Sequence, residues 1–294
     1  MRRNTKAKPA ASPAARLNVV RNFESFPAFL AACEVAGNAG NGKSSIGTGR
    51  NEFYGTENFE AAMRLARGGW AEGRKLLDEA RALVSLPDLG GKSWEPLAVL
   101  SDEGDEVELG RYLEGEPECL IDWRFAEQPK TGRVARVVLN VSASCSVNAA
   151  DLMRRGAAAL ALVDALESAG WRVELDLAFA SGKDDSGVFV STVRCKEASG
   201  VVEIDRFAFM LAHPSVLRRL FFRICEQLPE SDFRRILGVE YGKPRDVPPA
   251  LLGDTAGTIY FGKMCAGDGD AAALLAKIEA DVARFIAPSM AAAV

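Results

Sequence analysis

Histidine is almost missing from this chain: His213 is the only one among 294 residues. A histidine-rich metal site is therefore excluded, and histidine-dependent catalysis has a single place to occur. Cysteine pairs are missing as well. Cys33, Cys119, Cys145, Cys195, Cys225 and Cys265 are scattered with no C-x-x-C, so zinc spacing is absent, and a chain of this length needs no disulfide framework. They read as small buried hydrophobes. No apolar run approaches the roughly 18–20 residues that a membrane span requires. Neither charge sign dominates: a net charge of −4 gives no overall pull toward nucleic acid or anionic lipid. Acids are missing from residues 1–17, which carry Arg2, Arg3, Lys6, Lys8 and Arg16. That stretch reads as a flexible, solubilising basic tail. It lacks the apolar centre of a secretory signal, so the cytoplasm is the expected compartment.

What is present is an ordinary globular composition, 48 % apolar and 26 % charged, in a chain long enough to bury a substantial core. Its strongest pattern runs from Arg133 to Ala180. An apolar β-type run (VARVVLNV) leads through a Ser-rich turn (Asn140 to Ser146) into an alanine-rich helix with Leu152, Gly156, Leu160, Val163 and Leu166 at helical spacing. Gly170 stops the helix and WRVELDLAFA follows as a second strand. Strand–helix–strand order over so short a distance predicts parallel strands and a right-handed crossover. Ligands of open α/β sheets sit at the carboxyl ends of the strands, where the Ser-rich turn falls.

Around this unit the chain divides into the tail (1–17), a helical N-terminal extension (18–93), a connector with short strands (94–132) and an α/β domain (133–294). Within the extension, Ser25 with Pro27 starts one helix, and Thr56 is a candidate cap for a pair interrupted at Gly68-Gly69. In the connector, Cys119 to Trp123 reads as a short strand and Glu114, Glu116 and Glu118 as a solvated edge. VFVSTVRCK pairs with the second strand as an antiparallel hairpin at the sheet edge. Asp205 to Leu211 and Pro214 to Leu228 are helical, the latter with Arg218, Arg219 and Arg223 on a solvated face. RRILGVEYG and GTIYFGKM read as two more strands, and Asp270 to Ile286 as a closing helix.

Gly37, Gly42, Lys43 and Ser44 match the phosphate-loop pattern G-x-x-x-x-G-K-S. That motif needs a buried strand before it and a helix straight after. Here the preceding run is helical and SIGTGRNEFYGT carries no helical stripe, so an exposed loop is expected and an NTP site is the alternative. Cys145, in a strand-to-helix turn, could act as a thiolate nucleophile with His213 as its base, but the turn lacks the glycines of a nucleophile elbow.

A strand ending in NVSAS, an amphipathic helix, a second strand and an antiparallel neighbour resemble a von Willebrand factor A-type domain. In that family an Asp-x-Ser-x-Ser turn faces Mg²⁺. The resemblance places Asn140 at the Asp position and Ser142 and Ser144 at the two Ser positions, with Asp268 as the candidate later ligand. Asn offers a neutral carbonyl where the family has a carboxylate, which weakens cation binding. The resemblance implies an interaction loop at Asn140, Ser142, Ser144, Cys145 and Ser146, a possible Mg²⁺ and no other cofactor, and a protein partner such as a MoxR-type AAA+ ATPase. The chain also resembles an uncharacterised family of bacteriophage proteins through FYGTENFEAAMRLARGGWAEG and FAFMLAHPSVLRRLFFR, which implies a host-cytoplasmic setting.

The expectation is thus an α/β three-layer sandwich with a mostly parallel central sheet, serving as a non-enzymatic interaction or adaptor module with a degenerate metal-ion-dependent adhesion loop. The alternatives are a phage structural or nucleic-acid-associated protein using the basic tail and the arginine face, and an NTP-binding protein through Gly37 to Ser44. No membrane partner is expected, and nucleic acid is not favoured.

Overall fold

The computed structural model describes residues 17–37, 44–83, 92–129, 133–184, 187–253, 258–268 and 280. The basic tail up to residue 16, Gly42, Lys43 and nearly all of the expected closing helix lie outside the described residues. In chain order the elements are β1 (Leu17–Phe23), α1 (Phe26–Glu34), a 3₁₀ turn (Ser44–Ile46), α2 (Asn51–Tyr54), α3 (Phe59–Gly68), α4 (Gly73–Leu83), β2 (Lys92–Ser101), β3 (Glu106–Val107), α5 (Leu109–Glu114) and β4 (Leu120–Pro129). There follow β5 (Val134–Asn140), α6 (Ala149–Ser168), β6 (Arg172–Gly182), β7 (Gly187–Lys196), α7 (Ile204–Ala212) and a π-helical stretch (Val216–Phe221). The last are α8 (Phe222–Cys225), α9 (Glu230–Ile236), β8 (Lys243–Pro244), α10 (Pro249–Leu252) and β9 (Thr258–Phe261).

The βαβ unit forms as the sequence predicts. Asn148 caps α6 by accepting from the Asp151 amide at 2.8 Å, and Gly170, at φ +83°, reverses the chain just past the helix. β5 and β6 run parallel from Val134 opposite Arg172 to Asn140 opposite Ala178. The main sheet has the order β1-β7-β6-β5-β9, and β8 pairs with the end of β6. Three of its pairings, β1–β7, β6–β5 and β5–β9, are parallel. Helices flank it, as expected of an α/β fold.

One sheet face carries Val137, Leu139, Val173, Leu175, Leu177, Phe179, Phe189 and Val193, and these form the main core with the helices. The opposite face holds a smaller cluster of Val138, Ala178, Ala180, Val190, Val247 and Leu252. It also explains the arginine that interrupts β5: Arg136 and Arg194 both bond the buried carboxylate of Asp176. α6 is enclosed on nearly every side, because its alanine-rich face meets α4 and α7 rather than water. The closest approach is at Gly156, where a Cβ would collide with the Leu211 carbonyl.

Several expectations are corrected. The extension is not wholly helical: LNVVRNF is a strand, β1, with alternate residues half-buried, and it takes the sheet edge that the β6–β7 hairpin was expected to occupy. RRILGVEYG is not a strand. α9 places Glu230 and Asp232 in its first turn and Arg234 and Arg235 in its last, matching the helix dipole, while Phe233 and Ile236 bury. The cap of α3 is Asn58, not Thr56, which is buried.

The largest correction concerns the arginine face. Arg218 and Arg219 are 1 % and 0 % exposed. The segment 44–56 lies over them and supplies acceptors: Arg219 donates to Thr56 Oγ1, Thr56 O, Ser45 O and Gly47 O at 2.8–2.9 Å. Arg218 donates to Phe53 O and Val147 O and stacks 3.8 Å from the Phe53 ring centroid. Burial lowers the pKa of Arg218 to about 10.

Gly156→Ala is expected to lower stability by about 2–3 kcal/mol, since the backbone of α7 must shift to admit one methyl. The check is the urea midpoint at unchanged m-value; a loss within the range of ordinary surface substitutions would show that α6 and α7 can separate freely.

Candidate functional site

The turn at the carboxyl end of β5 packs against the loop that follows β9. Met264 N donates to Ser142 O at 2.8 Å, and Ser144 N donates to Met264 O at 3.0 Å. The structure therefore brings Asn140, Ser142 and Ser144 alongside the 262–268 loop that carries Asp268.

Each of those side chains already has a partner. Asn140 is wholly buried: its Nδ2 donates to Arg245 O at 2.9 Å and to the Tyr260 hydroxyl at 3.0 Å, while its Oδ1 accepts from Ser142 N at 3.0 Å. Ser142, also buried, accepts from Ala180 N through Oγ at 2.8 Å. The hydroxyls of Ser144 and Ser146 lie 2.9 Å apart, and exposed Asp268 accepts from Cys265 N at 2.6 Å. Buried Arg155 donates from α6 to Asn140 O and Gly262 O, and burial lowers its pKa to about 10. An amide at position 140 suits this setting, because only a donor can face the Arg245 carbonyl. Among the described residues no group of three or more His, Cys, Asp or Glu could hold a metal ion.

His213 and Cys145 have different surroundings. Cys145 is exposed on the turn. His213 is buried between Trp70 and Phe209, with ring centroids 4.9 and 5.0 Å away, and its Nδ1 accepts from Ser215 N. Burial lowers its pKa to about 4. The phosphate-loop residues have neither required neighbour: Gly37 follows a helix and Ser44 opens a 3₁₀ turn. That turn is held by Glu226, whose carboxylate accepts from Ser45 N at 3.0 Å and Ser45 Oγ at 2.5 Å. On the polar face of the main sheet lies an open cavity of about 990 Å³, lined by Arg136, Glu174, Asp176, Arg194 and Leu252 among others. Its charged groups largely pair with one another.

The feature missed in the sequence is the stretch read as a connector. β2, β4 and β3 form a separate antiparallel sheet in that order. The register pairs Pro96 with Phe125, Ala98 with Trp123 and Leu100 with Ile121, so these six apolar residues share one face. No residue from 96 to 126 is buried, and none joins either core cluster. Phe125 is 68 % exposed, and Leu109, Tyr112 and Leu113 of α5 are exposed as well. Glu114, Glu116 and Glu118 are exposed, as a solvated edge requires. The available signal was an apolar run (Pro96 to Leu100) and an alternating one (Ile121 to Phe125) on either side of an acidic turn, and only the start of the second was read as a strand.

The fold is thus a Rossmann-like α/β sheet with an inserted β-sheet module. Residues 5–282 match the family model of a domain of unknown function, DUF7192, and the chain belongs to that family. Comparison with curated proteins and with solved structures gives no match. No helix among the described residues is long and apolar enough to cross a membrane.

Two outcomes follow. Asn140→Asp is expected to cost about 3 kcal/mol at pH 7, because it buries a carboxylate against a carbonyl oxygen. Burial raises that carboxyl's pKa, so the deficit grows as pH rises from about 4. Urea midpoints across pH check this, and recovery in millimolar Mg²⁺ would instead restore the cation-loop reading. For His213 the depressed pKa favours the neutral folded form, so its contribution is complete above about pH 6.5 and is lost toward pH 4, by roughly 3 kcal/mol. His213→Asn should remove that part of the acid sensitivity.

Proposed function

We propose that the chain is a non-enzymatic protein-interaction module that docks its partner through the inserted β2-β4-β3 sheet. The observation that carries this reading is the sheet's continuous, unburied apolar face at Pro96, Ala98, Leu100, Ile121, Trp123 and Phe125. Water-exposed apolar surface of this kind, gathered on one regular element, marks interaction sites. The side chains best suited to chemistry support the same reading. His213 is shut in by aromatic rings, and Asn140 and Ser142 spend their polar atoms on holding two loops together.

On this reading the likeness to von Willebrand factor A-type domains concerns the strand–turn–helix frame, with Asn140 as a brace in place of a cation ligand. Cys145 and Ser146, exposed at the turn, and half-exposed Ser144 offer a second contact point at the carboxyl edge of the sheet. A MoxR-type AAA+ ATPase and a bacteriophage setting remain what the resemblances imply for partner and context.

The test places a photo-crosslinking residue at position 123 or 125 of the full chain in its native cell, with exposed Val239 as the control site. Discrete protein adducts are expected from 123 and 125 but not from 239. Equal labelling at all three positions, or none at 123 and 125, would remove the reading. Phe125→Ser should leave stability within about 0.5 kcal/mol, as for a side chain outside any core.

A further inference from the structure

We infer that the occupant of the apolar sheet face is a short, basic amphipathic helix supplied by another protein. This inference rests on the docking reading above and adds the partner's chemistry.

Size sets the first limit. The apolar rows span five residues on each strand, about 14 Å at the usual rise, and two strands with their side chains are about 10 Å wide. A helix of about 10 residues is 15 Å long and covers such a strip with one face.

Charge sets the second. From residue 96 to 126 there are nine acids and two bases, Arg111 and Arg124, a net of −7, whereas the whole chain has −4 and the remainder therefore +3. The acids gather at the end of the strip marked by Leu100 and Ile121. Asp102, Glu103, Asp105 and Glu106 surround the β2–β3 turn, and Glu114, Glu116 and Glu118 precede β4. Arg124 is paired with Asp122, and Arg111 donates to Glu118 O. A second copy would bring −7 against −7, and nucleic acid or an anionic membrane would be repelled equally. The chain's own basic tail has the charge but not the anchors, since residues 1–16 contain no Leu, Ile, Val, Phe, Tyr or Trp. A foreign helix with apolar anchors on one face, and Lys or Arg concentrated toward one end, satisfies both limits.

The test uses the full chain and three synthetic peptides of about 14 residues with identical apolar anchors and with Lys, Gln or Glu at the polar positions. Binding is read by titration calorimetry at about 0.05 M and 0.3 M salt. The Lys peptide should bind roughly ten-fold tighter than the Gln peptide at low salt and lose most of that advantage at high salt. Asp102→Lys combined with Glu103→Lys and Asp105→Lys, all in an exposed turn, should abolish the advantage while the Gln peptide still binds. Phe125→Ser should abolish binding of every peptide, with circular dichroism confirming an intact fold. Gln or Glu peptides binding as tightly as Lys would overturn the charge inference and leave the docking reading standing. No peptide binding, with a dimer in sedimentation that Phe125→Ser converts to monomer, would assign the face to a second copy. No peptide binding and a monomer throughout would overturn both.

Discussion

Two buried guanidinium groups hold the 44–56 segment against the rest of the fold. A buried cation is tolerable only when its donors are satisfied, because little else offsets lost hydration. Arg219 meets that condition with backbone carbonyls of Ser45, Gly47 and Thr56 and the Thr56 hydroxyl, and its guanidinium lies 4.4 Å from the Tyr54 ring centroid. Arg218 reaches in the same way from the π-helical stretch to Phe53 and to Val147, just beyond the central turn. The π-helical stretch therefore clamps the 44–56 segment on one side and the entry to α6 on the other. A wider helical turn of this kind has a local energetic cost, which these contacts offset. Glu226 extends the clamp by gripping Ser45 and accepting from the Tyr241 hydroxyl at 2.6 Å.

What was legible in the sequence was what local chemistry decides. The βαβ unit, the Ser25 cap and the Gly170 stop depend on residues a few positions apart, and all three are found. What was not legible depends on who covers whom. An Arg-bearing helix face looks solvated unless something supplies acceptors to it, and here they are mostly backbone carbonyls of a Gly- and Ser-containing loop. Carbonyls leave no mark in a sequence, so the burial of Arg218 and Arg219 could not be read from side-chain types. β1 was hidden for a related reason: its two asparagines and one arginine blur the alternation, and its half-buried residues become informative only once β7 is beside them.

The candidate site shows both kinds of outcome. The Ser-rich turn lies at the carboxyl end of a parallel strand, as the pattern implied. Its asparagine, which matches a ligand position by resemblance, is tied by its amide to Arg245 and Tyr260, partners more than a hundred residues away. The inserted sheet illustrates the opposite difficulty. Alternating apolar residues signal a strand with one covered face, and pattern alone does not say whether the cover comes from the same chain. Between 96 and 126 no residue is buried, and none joins a core cluster among the described residues.

The two inversions bear on each other. Charged residues sit inside where they lock the main body, and aromatic residues sit outside where the body ends. β2 and β4 leave and return side by side, with Lys92 opposite Pro129. The two ends of the insert thus lie side by side, and none of residues 96–126 belongs to either core cluster. A small antiparallel sheet with no core of its own gains little stability from such residues in isolation. On the proposed reading, another molecule covers these apolar side chains. The contacts around Arg219 fix the frame, and on the proposed reading the face around Trp123 is what the frame carries.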